Sequence, residues 1–333
     1  MRAFARIAVI AALVGWSTTA SAADKLTLQL KWVTQAQFAG YYVALDKGFY
    51  KDAGLDVTIK PGGPDINPSQ VIAGGGADVV VDWLPSALAT REKGVPLVNI
   101  AQIFQKSAMM LTCRKDSGIA SPADFKGHTL GVWFSGNEYP FLSWMAKLGL
   151  STSGATPDVT VLKQGFNVDP LLQKQAACIS TMTYNEYWQV IEAGVPASDL
   201  VLFKYQEQGV ATLEDGLYTL EKTLADPKSV DKLARFVKAT AKGWDYAAAH
   251  PSEAVDIILA NDGTGAQTKE HQTTMMQEVA KLIVGPKQGT GYLEPADFDR
   301  TVSILLATKA APVITKKPDG AYSHKVFEAA AKL

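Results

Sequence analysis

Leu26-Thr27-Leu28-Gln29-Leu30 alternates apolar and polar side chains, runs into Lys31-Trp32-Val33-Thr34-Gln35, and gives way to Phe38, Tyr41, Tyr42, Leu45 and Phe49 at helical spacing. Gly48 and Gly54 punctuate that helix, and Leu55, Val57 and Ile59 alternate again at once. A period of two, then of three to four, then of two again spells strand, helix, strand. Two strands joined this way are expected to lie parallel with a right-handed crossover, a β-α-β unit.

The same grammar recurs downstream. Gly74-Gly75-Gly76 leads to a strand over 77–81, then Asp82-Trp83, then a helix over 85–93. Further strands are expected at 98–100, 109–113, 130–133, 159–162, 177–181 and 201–204, with helices at 139–148 and, after Thr183-Tyr184-Asn185-Glu186, through Ala193. Beyond Leu217-Tyr218-Thr219 the pattern is helical, over 229–249, 252–260, 272–284 and 296–307. Alternation followed by a helical tail argues an α/β architecture with two mixed or mostly parallel sheets. A chain of 333 residues also exceeds what one core serves. Two discontinuous lobes are expected, 24–112 with 217–333 and, between them, 113–216.

Hydrophobic residues make up 47% of the chain and charged ones 20%, with Lys+Arg 32 against Asp+Glu 33. That balance excludes a disordered tail and a nucleic-acid binder driven by bulk charge, and favours a small-molecule partner. Met1-Arg2-Ala3-Phe4-Ala5-Arg6, a mostly apolar 7–16 and Ala20-Ser21-Ala22 read as an export leader over 1–22, cleaved after Ala22. The mature chain is then expected in the periplasm, with no Cys after the leader to carry a lipid.

Cys113 and Cys178 are the two cysteines. Export permits a bridge between them, but their spacing does not establish one, and two small buried hydrophobes is the commoner reading. His128, His250, His271 and His324 are scattered, with no H-E-x-x-H or C-x-x-C, so neither metal nor cofactor is expected. The triple glycine lacks the Lys-Ser/Thr of a phosphate-gripping loop and precedes its strand. No nucleophile motif such as G-x-S-x-G is present, and the chain is expected to bind, not catalyse.

In open α/β sheets ligands sit beyond the carboxyl ends of the strands. The residues following the expected strands form one candidate set: Trp32, Gln35, Phe38 and Tyr42; Asp82 and Trp83; Ser135, Asn137 and Glu138; Tyr184 and Glu186. Flat aromatic faces stack on a planar ring, and carboxylates accept from N–H donors. Lys31 is the basic exception. An anion would meet Asp82, Glu138 and Glu186, so the set suits a planar, amino-bearing heterocycle. Each residue also has a plainer role: Tyr42 in the core, Asp82 as a helix cap, Glu138 and Glu186 at helix N-termini.

The run from Leu30 through Ala44, with Lys47-Gly48-Phe49-Tyr50 and Ala53-Gly54-Leu55-Asp56-Val57, resembles the opening of the thiamine-pyrimidine-precursor-binding branch of ABC-transporter solute-binding proteins. Gly76-Ala77-Asp78 before a strand and Gly131-Val132-Trp133 after Asp124-Phe125-Lys126-Gly127 fit the same pattern. That superfamily also holds nitrate, sulfonate and taurine receptors and a fungal pyrimidine synthase. The resemblance implies a two-lobed periplasmic-binding-protein fold of type II, a ligand cleft between the lobes, and a monomer that docks on an inner-membrane permease. It also implies a ring held by aromatic stacking and an acidic side chain, matching Trp32 and Glu186. A flavin or a sulfonate-, nitrate- or taurine-like anion are the alternative ligands. The fungal synthase carries a cysteine-rich cluster where this chain has Ala176-Ala177-Cys178-Ile179-Ser180, with one Cys, so the resemblance does not carry synthase activity with it.

Overall fold

The computed structural model describes residues 22–307 and 312–333; the expected leader, apart from Ala22, lies outside them. Among the described residues the strands are β1 (Asp24–Gln29), β2 (Leu55–Lys60), β3 (Val79–Asp82), β4 (Leu97–Gln102), β5 (Met109–Arg114), β6 (Thr129–Val132), β7 (Thr160–Lys163), β8 (Cys178–Met182), β9 (Leu200–Lys204) and β10 (Gly216–Leu220). They form two five-stranded sheets, ordered β2-β1-β3-β10-β4 and β7-β6-β8-β5-β9. The opening unit is as its periodicity demands: β1 runs parallel to β2, Leu26 opposite Val57 and Leu28 opposite Ile59. In the second sheet β6 is parallel to β7 and β8, while β5 is antiparallel to β8 and β9.

Continuous apolar strands need cover on both faces. Every residue of β3 and β4 is buried, and helices supply that cover. The longest, Pro227–Ala249, starts where Asp226 accepts from the backbone N–H groups of Lys228 and Ser229, with Pro227 at the first position. Its buried face repeats at three and four, through Val230, Leu233, Val237, Thr240 and Trp244. It crosses the helix Ala39–Asp46 where a Cβ on Gly243 would sit 2.2 Å from the carbonyl oxygen of Gly40, so the helices touch backbone to backbone.

Three expectations need correction. First, the boundary at 112/113 would cut β5, which pairs over its whole length with β8 and β9. The chain therefore crosses between the sheets over 103–108 and returns over 205–215. Second, no element is expected at 216–220, yet these residues form β10, which lies between β3 and β4, antiparallel to both. Five residues opening on Gly216 carry too little alternation to show a strand; pairing on both edges decides it. Third, Cys113 and Cys178 are bonded to each other, because β5 and β8 set them directly opposite.

The two crossing segments are tied together. Glu214 on the return accepts from Ser107 Oγ at 2.5 Å and from the N–H of Ala108 at 3.0 Å on the outward crossing. Burial pushes its carboxyl up to about 7, against the pull of those donors.

Candidate ligand-binding site

The loops that leave β1, β3, β6 and β8 face one another across the gap between the sheets. The β1 loop is pinned by Leu30 N–H to the Lys60 carbonyl and Gly62 N–H to the Trp32 carbonyl, both 2.8 Å. A 3-10 turn, Ala36–Phe38, closes it, the N–H of Ala36 donating to Gln272 Oε1 at 2.6 Å. Trp83 caps the helix Leu84–Glu92 and is aimed by its Nε1–H, which donates to Asp215 Oδ1 at 2.8 Å. Opposite, Trp133 leaves β6 and donates from Nε1 to the Gly165 carbonyl at 2.9 Å. Glu186 opens the helix Glu186–Glu192; its Oε2 accepts from Met182 N–H at 3.0 Å and its Oε1 from Asn185 Nδ2 at 2.8 Å.

These residues wall a small cavity, with about 320 Å³ of empty space when the solvent at its mouth is counted in. Lys31, Trp32, Gln35, Gln37 and Trp83 line it from the β1 and β3 loops, and Trp133, Asn137, Met182, Tyr184, Asn185 and Glu186 from the β6 and β8 loops. Trp32 and Trp133 meet edge to face, centroids 6.2 Å apart. The halves approach closely: a Cβ on Gly136 (φ +99°) would lie 2.4 Å from the Cβ of the Ser86 side chain.

The polar groups form two chains. Gln35 Nε2 donates to Gln37 Oε1 and Gln37 Nε2 to Asp215 Oδ2, each at 2.7 Å. Burial pushes the Asp215 carboxyl up to about 6, opposed by Gln37 and by the charge of Lys31. Burial likewise pushes Glu186 up to about 7, opposed by its backbone and Asn185 donors. Lys31 Nζ lies 3.2 Å from Asp82 Oδ1 and 5.0 Å from the Trp83 ring centroid. Asn137 is 6% exposed, and its Oδ1 is buried with no hydrogen-bond partner. A buried acceptor left open at a cavity wall is costly unless a donor arrives with a ligand or water.

Of the expected set, the structure brings Trp32, Gln35, Trp83, Asn137, Tyr184 and Glu186 to this one wall. Five others lie off this wall. Phe38 is fully buried in the core against Tyr41, as its helical spacing allows. Tyr42 is buried too, its hydroxyl 2.8 Å from Thr34 Oγ1. Asp82 sits behind the wall, accepting from Ser69, Ser86 and the Trp83 N–H while holding Lys31. Ser135 (φ +63°) lies at the seam, donating to the Pro64 carbonyl at 3.4 Å. Glu138 turns back onto the N–H of Gly136, and burial raises its pKa. So one carboxylate of the expected three reaches the cavity. Trp133 was missed because its apolar run hides where β6 stops. Met182 was missed because β8 continues one residue past the expected strand end, and Gln37 because it falls inside the expected helical approach.

Comparison with known proteins agrees with this architecture. Residues 35–254 match the family described as NMT1/THI5 like. The formylaminopyrimidine-binding protein of Halalkalibacterium halodurans is 24% identical over 242 residues, 72% of this chain and 71% of that one. A 4-amino-5-hydroxymethyl-2-methylpyrimidine phosphate synthase of Saccharomyces cerevisiae is 24% identical over 247 residues, 69% of each chain. Among solved structures, the periplasmic nitrate-binding protein of Synechocystis PCC 6803 superposes with a TM-score of 0.68 at 13% identity, covering 93% of this chain and 89% of that one. The fold is that of periplasmic binding proteins of ABC import systems, two α/β lobes with a cleft between them. By its match over residues 35–254, this chain belongs to the NMT1/THI5-like family.

Proposed function

We propose that the chain is the exported, monomeric solute-binding component of an ABC importer, and that its cleft captures a small planar heterocycle bearing N–H donors, of the thiamine-pyrimidine-precursor class. The observation that carries this reading is the cavity wall: Trp32, Trp83, Trp133 and Tyr184 around two acceptors, the Glu186 carboxylate and the open Asn137 Oδ1. Aromatic pairs add about 0.5 to 1.5 kcal/mol each beyond burial. Micromolar affinity needs about 8 kcal/mol, within reach of a ligand of roughly ten heavy atoms.

Binding without catalysis fits the same wall. Cys178, the cysteine in the region where the fungal synthases carry a cluster, is bonded to Cys113 and offers no free thiol. Lys31, the one cation on the cavity wall among the described residues, is already neutralised by Asp82, which disfavours a sulfonate or nitrate. The lobes we assign to 24–102 with 216–333 and to 109–204 close on the ligand, and the closed form docks on a membrane permease. Thermal unfolding with a ligand panel tests the reading, since a ligand of the folded state raises stability by RT ln(1 + [L]/Kd). Aminopyrimidines should raise the midpoint; no shift with them, alongside a rise with taurine or an alkanesulfonate, overturns it.

A further inference from the structure

Asp215 stands outside the cavity wall, at the end of the return crossing between the lobes, yet two wall residues hang on it. Its Oδ1 accepts from Trp83 Nε1 at 2.8 Å and its Oδ2 from Gln37 Nε2 at 2.7 Å. It is a buried residue other than glycine with φ at +36°, a strained backbone state that Asp and Asn tolerate better than most. Such strain persists where the surroundings over-determine it, and it gathers at ligand clamps. Here Glu214 on one side is tied to the outward crossing, and Gly216 on the other opens β10.

The carboxylate dictates the direction of the amides beyond it. Burial holds the Asp215 carboxyl up at about 6, so at pH 8 it is ionised and only accepts. The Gln37 atom 2.7 Å from Oδ2 is therefore the amide nitrogen, and the Gln37 oxygen faces Gln35. That oxygen takes the Gln35 nitrogen as its donor, also at 2.7 Å. What Gln35 has left is its own oxygen, which points to the second lobe, 3.4 Å from Asn185 Nδ2. Both glutamines are buried and both line the cavity, so an amide turned the wrong way has no bulk water to satisfy it.

We propose that Asp215 is a positioning residue that sets the direction of the Gln37–Gln35 relay, and with it which hydrogen-bonding edge of a ring the cleft accepts. With both amide nitrogens turned towards Asp215, Gln35 joins Glu186 and Asn137 in offering an oxygen. A ring that brings an exocyclic amine is matched there; a ring with a carbonyl in the same place sets oxygen against oxygen. An amide in place of the carboxylate reverses the relay. Its oxygen has to face the Trp83 indole, which only donates, so its nitrogen faces Gln37. Gln37 and then Gln35 turn over in response, and Gln35 shows N–H groups instead.

The relay's role rests on the reading of the cleft as a pyrimidine site, and its test separates the two. Calorimetric titration at pH 8 compares 4-amino-5-hydroxymethyl-2-methylpyrimidine with its 4-oxo counterpart, in which donor and acceptor at ring positions 3 and 4 are exchanged. Wild type should bind the amino ring at least about tenfold more tightly than the oxo ring. D215N keeps the side chain's size and suits a positive φ; it should narrow that ratio by about tenfold or more. A residue that merely holds the fold weakens both rings alike and leaves the ratio unchanged. Should D215N not fold, Q37M, which cuts the relay and leaves Asp215 on Trp83, takes its place with the same expectation. An unchanged ratio in the folded variant, or equal or inverted affinities in wild type, overturns the proposal. If neither ring binds wild type, the ligand reading fails. The relay is then decided on the ligand-free chain by neutron diffraction, which tells amide nitrogen from oxygen. Gln37 deuterons on Asp215 in wild type, turned to Gln35 in D215N, support it, and the same orientation in both overturns it.

Discussion

Trp32 and Trp133 face each other across the cleft, one from the loop after β1 and one from the loop after β6, centroids 6.2 Å apart and planes inclined at 64°. Neither lobe makes a stacking site alone. The cavity lies where the two rings meet, and the predictions below separate ligand capture from folding on that basis.

Trp32→Ala should weaken binding of an aminopyrimidine at least tenfold, about 1.4 kcal/mol. Its unfolding midpoint without ligand should fall less than that of Trp244→Ala, whose side chain is fully buried between helices. Calorimetric titration and thermal melts of the two variants check this; a Trp32→Ala protein with intact affinity returns the ring to a packing role.

Asn137→Leu removes the open buried acceptor. Replacing an unsatisfied polar group by an apolar one of similar size costs little, so stability should stay within about 1 kcal/mol of wild type. Affinity should nevertheless drop several-fold, read by the same titration.

Glu186 makes stability depend on pH. Its carboxyl stands at about 7 in the folded chain against the usual 4.5, so between those values it is protonated when folded and ionised when unfolded. Folding then takes up a proton, and stability falls as pH rises through that window, by about 3 kcal/mol in all, levelling off above it. Denaturant unfolding at pH 5 and 8 should show a smaller difference in Glu186→Gln than in wild type, with the remainder from Glu214 and Asp215.

The Cys113–Cys178 bridge spans 65 residues of the second sheet's lobe. Constraint of the unfolded chain by a loop of that length is worth about 4 kcal/mol in the entropic model. Unfolding in the presence of a reductant should therefore shift to lower denaturant, while affinity at low denaturant is retained, since neither sulfur lies on the cavity wall.

The β-α-β opening was legible because its periods switch cleanly, and Trp32 stood out because alternation stops at Leu30, before it. Trp133 was hidden for the opposite reason. Leu130-Gly131-Val132-Trp133 is apolar throughout, and the end of β6 is set by its register with Thr160–Lys163, a pairing that no local pattern encodes. Asp215 went unseen together with β10, since five residues beginning at glycine become a strand through two flanking partners. Asp82 and Glu138 were the right chemistry in the wrong layer: polar atoms next to a cleft also satisfy backbone and lysine, and which task they take depends on distances of a few ångströms.

The most direct measurement is a crystal structure of the chain grown with 4-amino-5-hydroxymethyl-2-methylpyrimidine. The account predicts the ring in the cavity walled by Trp32, Trp83, Trp133 and Tyr184, its exocyclic amine within about 3 Å of a Glu186 oxygen and a ring or amine donor on Asn137 Oδ1. A cleft that excludes the ring, or a ring bound with Glu186 and Asn137 untouched, contradicts it.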